Sequence, residues 1–199
     1  MQSLIAWCLP LIFAFAATVA PAAEPLVDDR FEGESSKRRA MRGPWKIEGG
    51  TAKCTQDNEL YKKFKDHGPV IWFDAAFHDA AVSFEFKPDD KVKTFVFTVN
   101  GAEGHVFRFV SSPAGTTIVA FPPGGDHKSL ALARGGPKLV PGEWTKVSVE
   151  LHGSKAKVSI GSSYSTEVEH MSIDREKTVV GLGFSFGTLE LKNVRVTSL

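Results

Sequence analysis

Apolar and polar residues alternate with period two along most of the chain, and the clearest stretch runs from residue 80 to residue 110. Val82, Phe84 and Phe86 alternate with Ser83, Glu85 and Lys87. A turn at Pro88-Asp89-Asp90 leads to a second segment, in which Phe95, Phe97 and Val99 alternate with Thr94, Val96 and Thr98. After Asn100-Gly101, a third segment sets His105, Phe107 and Phe109 against Val106, Arg108 and Val110. Successive side chains of a strand point to opposite faces, so this pattern predicts three strands sharing one aromatic face. Joined by turn residues they read as a meander, and the aromatic face requires a second layer to cover it. If neighbours in sequence also pair in space, Glu85, Thr98 and Arg108 share the opposite, polar face.

The remaining chain repeats the pattern in shorter pieces. Leu26 to Phe31 suits an edge segment, and Trp45 to Cys54 a hairpin turning at Gly49-Gly50. Leu60, Tyr61 and Phe64 have a brief helical spacing that Gly68-Pro69 ends, and Val70 to Phe73 is a strand. Thr116 to Phe121 is another strand. Residues 122–141 are rich in Gly and Pro, with Leu130-Ala131-Leu132 the one strand-like piece. Val147, Val149 and Leu151 form a row that turns at His152-Gly153-Ser154 into Ala156, Val158 and Ile160. One helical turn fits within residues 168–176, followed by the row Val180, Leu182, Phe184 and Phe186. The last strand changes parity between Leu189 and Leu191 and the pair Val194 and Val196. A bulge at Lys192-Asn193 keeps both sets on the core side. About a dozen short strands, with no long helix and no fixed repeat, predict an all-β fold. The expected architecture is a two-sheet antiparallel β-sandwich.

Composition narrows the setting. The run Leu4 to Val19 is apolar and is followed by Ala20-Pro21-Ala22-Ala23, so residues 1–23 read as a signal peptide and residues 24–199 as a single sandwich domain. Interrupted by Pro10, the run falls short of the roughly 20 residues of a stable membrane span. The expected location is therefore secreted or periplasmic. A net charge of +1 provides no basic footprint for nucleic acid. Of the 2 cysteines, Cys8 leaves with the signal and Cys54 stands alone, a small strand side chain without a disulfide. The basic run Lys37, Arg38, Arg39 and Arg42 reads as a solvated loop.

Candidate chemistry is sparse. Glycoside cleavage usually needs two carboxylates at a defined separation, one with a raised pKa. The Glu-x-Asp-x-x-Glu strand motif that would supply them is absent. Glu85 is the single candidate for catalysis, and a cross-strand ion pair on a solvated face is the plainer reading for it. Thr98 and Arg108 are candidates for holding sugar hydroxyls. His105, in phase with Phe107 and Phe109, reads as a core-edge histidine at the rim of the same site. The 6 histidines lack metal spacing, and Asp89-Asp90 alone offers calcium too few oxygens, so no metal or other cofactor is expected. Adjacent pairs such as His78-Asp79 would face opposite ways in a strand. Among Trp45, Trp72 and Trp144, Trp144 is out of phase with Val147 and Val149, which makes it the best candidate for stacking on a sugar.

Several segments carry a resemblance. Gly142-Glu143-Trp144-Thr145-Lys146-Val147-Ser148-Val149 and then Val158-Ser159-Ile160-Gly161 resemble a hairpin of concanavalin-like, laminin-G-type sandwiches. Lys177 to Phe184 and Leu189 to Val196 resemble their closing strands. Together with Asp28, Arg30, Phe31 and the stretch Trp45 to Gly50, the chain resembles secreted bacterial members of the 3-keto-disaccharide hydrolase domain family. That resemblance implies a jelly roll and a glycan-related role. The acidic and aromatic central motif of the enzymatic members has no match, and Gly104-His105-Val106-Phe107-Arg108-Phe109 stands in its place. A glycan or small saccharide is the implied partner. Binding without catalysis, glycoside hydrolysis and an envelope interaction module are the three functions left open.

Overall fold

The structure, a computed structural model, describes residues 24–124 and 128–199. The expected signal segment with Cys8, and also His127, lie outside the described residues. The first strands are β1 (Pro25–Asp29), β2 (Arg38–Met41), β3 (Lys46–Glu48) and β4 (Thr51–Thr55), followed by helix α1 (Asn58–Lys63). Next come β5 (Val70–Phe77), β6 (Ala80–Pro88), β7 (Thr94–Gly101), β8 (Gly104–Ser112), β9 (Gly115–Ala120) and β10 (Leu130–Gly136). The chain closes with β11 (Thr145–His152), β12 (Lys155–Ile160), β13 (Tyr164–Glu169), β14 (Lys177–Ser185) and β15 (Thr188–Ser198). A single 3-10 turn, Met171–Ile173, is the helical turn expected before β14.

The fold is a two-sheet antiparallel jelly-roll sandwich. One sheet, A, runs β13-β12-β11-β6-β15-β4-β3, with β1 also on β15. The other, B, runs β10-β9-β8-β7-β14-β5-β2. Gly49 and Gly50 close the β3–β4 hairpin, both with positive φ, as a tight two-residue turn requires. The parity change in β15 is a bulge. Register shifts between Lys192 and Arg195, and Asn193 takes φ 54°. The edge partner changes at the same point, from β4 beside residues 188–191 to β1 beside residues 194–197.

The expected meander is only partly present. β7 and β8 pair, but β6 lies in the other sheet between β11 and β15. Turn residues Asp89 to Lys93 carry the chain across the sandwich, and Asp89 Oδ1 accepts hydrogen bonds from Lys91 N and Val92 N. The aromatic faces therefore meet head-on. Phe86 stacks on Phe95 with centroids 4.0 Å apart and planes 3° apart, and Phe84 stacks on Phe97 at 5.7 Å. Phe109 extends the layer, stacked on Phe97 at 5.2 Å. Val147, Val149 and Leu151 of β11 and Val180, Leu182 and Phe184 of β14 complete the buried layer from the two sheets.

Two other expectations change, and one strand is added. The basic run is not a loop: β2 pairs with β5, and Arg38 Nη1 holds Asp29 at 2.7 Å with both side chains almost wholly buried. Removing one partner of such a pair strands the other charge, so the pair ties the β1 turn to the edge of sheet B. β13, which lacks a clean apolar row, extends sheet A beyond β12. His78 and Asp79 do act together, because they sit in the β5–β6 turn rather than in a strand. His78 Nδ1 lies 3.0 Å from Asp79 Oδ1, and His152 Nδ1 lies 2.9 Å from Asp79 Oδ2.

Cys54 is buried, and desolvation pushes its thiol up to about 12, so at neutral pH it carries no thiolate and is inert. Asp79 also accepts from Gly153 N at 2.9 Å, which ties the β5–β6 turn to the β11–β12 turn. That bond, helped by His78 and His152, holds its carboxyl below the ordinary value of 3.8. A depressed carboxyl stabilises the fold above its unfolded pKa and ceases to do so as pH falls through its folded one. Asp79→Asn is therefore expected to lower the thermal midpoint at pH 7. The gap from wild type should close as the pH is taken below about 4, read by thermal melts across a pH series.

Candidate functional site

A groove of about 560 Å³ lies along the outer face of sheet B. Its floor is one row of residues paired across strands: Trp72 on β5, Gly181 on β14, Thr98 on β7 and Arg108 on β8. The sequence dictates their direction. Trp72 lies between the core residues Ile71 and Phe73, and Gly181 between Val180 and Leu182, so both positions face outward.

Gly181 is essential to the floor's shape. A Cβ there would come within 2.4 Å of Trp72 Cζ3 and 2.9 Å of Thr98 Cγ2. The indole therefore lies across the glycine, pressed against the sheet, with Thr98 on the other side. Strand neighbours are ~4.8 Å apart, so Arg108 stands about two spacings from Gly181. The Gly68-Pro69 loop closes one end. Pro69 O accepts from Phe184 N at 3.1 Å, and a Cβ at Gly68 would strike Phe184 O. Tyr61, resting on Phe186 at 5.4 Å, and His67 stand on that wall.

The other end holds the polar groups. Register in the β7–β8 hairpin shifts between Val99 and Asn100, so that Asn100 faces His105 and Val106 is the extra residue, buried. The bulge moves His105 off the Phe107–Phe109 phase and onto the outer face beside Arg108. His105 is thus a groove residue and not a core-edge histidine. Arg108 Nη2 donates to His105 Nε2 at 2.8 Å. A guanidinium cannot accept, so Nε2 is the bare nitrogen, and Nδ1–H donates to Asn100 Oδ1 at 2.7 Å. Thr98 Oγ1 donates to the same oxygen at 3.2 Å. This chain of bonds orients the imidazole and sets which ring nitrogen faces Arg108. Phe121 packs beneath, 5.0 Å from His105 and 5.0 Å from Arg108 Cζ.

Thr98, His105 and Arg108 are therefore brought together, as residues of one site. Glu85 and Trp144 are not with them. Both belong to the outer face of sheet A, because β6 crossed to that sheet, and the shared face expected for Glu85, Thr98 and Arg108 does not form. Glu85 accepts from Asn193 Nδ2 at 2.9 Å and pairs with Lys192 at 3.3 Å. The Asn193 bond, then Lys192, holds its carboxyl below the usual range, so it stays ionised. Trp144 has Lys192 over its ring at 4.2 Å and Lys87 at 5.1 Å. A hollow of about 490 Å³ beside Glu85 also includes Asp28, Glu32 and Arg195.

Trp72 is the residue that sequence reasoning passed over. Two outward glycines on one strand, Gly181 and Gly183, were the available signal, since a glycine inside a strand often marks a close approach. Gly181→Ala is expected to fold, because its backbone needs no positive φ, yet to lift the indole from the sheet. Near-ultraviolet circular dichroism and tryptophan fluorescence should change while the far-ultraviolet spectrum does not. Among the described residues, no group of three or more His, Cys, Asp and Glu side chains is arranged to hold a metal ion. No described helix is long and apolar enough to cross a membrane.

No family model matches the sequence, and no curated protein matches it. Solved structures do match in fold. A carbohydrate-binding module, CBM66 from Bacillus subtilis, superposes with TM-score 0.61 at 13% identity, over 81% of this chain and 96% of that one. SCLam, a non-specific endo-beta-1,3(4)-glucanase from family GH16, superposes with TM-score 0.62 at 8% identity, over 90% and 92%. A sialidase matches with TM-score 0.63 at 11% identity, over 89% of this chain and 19% of the sialidase. At such identities the likeness is one of fold: this chain has the concanavalin-like sandwich of those proteins.

Proposed function

We propose that the chain is an exported carbohydrate-binding protein that holds a saccharide in the sheet B groove without cleaving it. The observation that carries this reading is the indole of Trp72 lying across Gly181 with Thr98, Asn100, His105 and Arg108 in the adjoining strands. A pyranose ring offers an apolar C–H face to an aromatic ring and hydroxyls around its edge, and the groove offers the complement of both. The fold likeness to a carbohydrate-binding module and a glucanase supports the saccharide class. Export is supported by the apolar run Leu4 to Val19 followed by the small residues Ala22-Ala23.

Binding is favoured over turnover by the carboxylates. Among the described residues the groove wall has one acid, Asp66, where glycoside cleavage uses two with separated pKa values. A second reading, hydrolysis of the 3-keto-disaccharide hydrolase type, places Glu85 in the sheet A hollow beside Asp28 and Glu32. Glu85 is lowered there, by Asn193 first. In that hollow Glu85 would serve only as an ionised base or nucleophile.

A glycan array on residues 24–199, paired with a 3-keto-glycoside hydrolysis assay, separates the two. We expect array binding that Trp72→Ala weakens at least tenfold and Glu85→Gln leaves unchanged, with no product released. Product formation by wild type that Glu85→Gln abolishes would establish the hydrolase instead. Absence of any bound glycan from the folded protein would remove the binding reading.

A further inference from the structure

Most arginines of this protein are paired. Arg30, Arg38, Arg39, Arg175 and Arg195 each pair with a carboxylate. Among the described residues, Arg42, Arg108 and Arg134 pair with none, and the first two line the sheet B groove. Asp66, the one acid among the described residues of that wall, forms no ion pair with either.

Arg108 is the more telling of the two. Its Nε is buried and bonded to nothing, Nη2 is committed to His105, and Phe121 supports the plane of the guanidinium at 5.0 Å. Burial lowers its pKa, and among the described residues no carboxylate supplies its counter-charge. Such an arrangement is costly in the empty protein, and an incoming anion offsets that cost. The His105 and Phe121 contacts also fix the side chain, so a ligand need not order it.

We propose that the groove selects acidic saccharides: a sugar ring on Trp72 places a carboxylate against Arg108, with Arg42 adding attraction from the opposite end. The proposal rests on the groove's being a saccharide site. The planar guanidinium is suited to a carboxylate in two-point contact, and it stands two strands beyond the glycine under the indole. That separation, ~10 Å at ~4.8 Å per strand, accommodates one pyranose with its carboxyl projecting over Thr98. His105 assists by accepting from Nη2, which holds the guanidinium in place for the ligand.

Matched probes test the inference by titration calorimetry: trigalacturonate against its carboxyl-reduced trisaccharide, and sialyllactose against lactose. At least one acidic probe should bind roughly ten- to a hundredfold tighter than its neutral partner. Arg108→Gln should erase that preference, so that acidic and neutral partners bind the variant equally, while Arg108→Lys keeps a part of it. Added salt should weaken the acidic probe and leave the neutral one unaffected. Thermal melts confirm that each variant folds. Equal binding of acidic and neutral partners, sensitive to Trp72→Ala but not to Arg108→Gln, would overturn the carboxylate assignment and leave a neutral-sugar groove. A folded wild type that binds neither these probes nor any array glycan would overturn both readings.

Discussion

The stacking of Phe86 on Phe95 across the two sheets is the contact on which the rest of the structure depends. With Cys54 alone and no disulfide among the described residues, the sandwich is held by apolar burial, and this aromatic layer lies at its centre. It also requires the chain to leave sheet A after β6 and enter sheet B at β7. The return crossing, from β14 to β15, runs beside it. Asp89 N donates to Thr188 O and Lys93 N to Ser185 O, each at 2.9 Å. Gly187 must be glycine there, since φ is 60° and a Cβ would meet Asp89 Oδ1 and the backbone at Val92. Paired crossings set β7 against β14 in one sheet and β6 against β15 in the other.

The groove follows from that arrangement. β14 presents Leu182 and Phe184 to the core and Gly181 and Gly183 to the groove, so the centre of sheet B has a floor without side chains. Trp72 fills part of that space and Thr98 borders it. A side chain at 181 would restore an ordinary outer sheet face, solvated and convex with residues, and the indole would have no place to lie flat. The bulge at Val106 supplies the polar end, because without it His105 would point inward with Phe107.

Charge is distributed in keeping with this division. On sheet A the carboxylates of Glu85 and Glu190 meet Lys192, Lys53 and Lys87, so acids and bases pair on that face. Sheet B's groove leaves Arg42 and Arg108 uncompensated. The overall charge of +1 conceals the difference, since local pairing and not net charge decides what a surface attracts.

Much of the fold was legible in the sequence. Alternation marked the strands, glycines and Asn-Gly marked turns, and the Leu191-to-Val194 parity change marked the β15 bulge, because each is a local consequence of side-chain direction. Thr98 and Arg108 were legible as outward residues for the same reason. Alternation specifies a face, however, and not a neighbour. Whether β6 paired with β7 or crossed to the other sheet depended on how the phenylalanines could be buried on both sides, which is a property of the assembled sandwich. Tertiary structure alone therefore separated Glu85 from Arg108, turned His105 outward through a bulge with no glycine to announce it, and laid Trp72 across Gly181. The sequence by itself determined which side chains faced away from the core; packing decided which of them met.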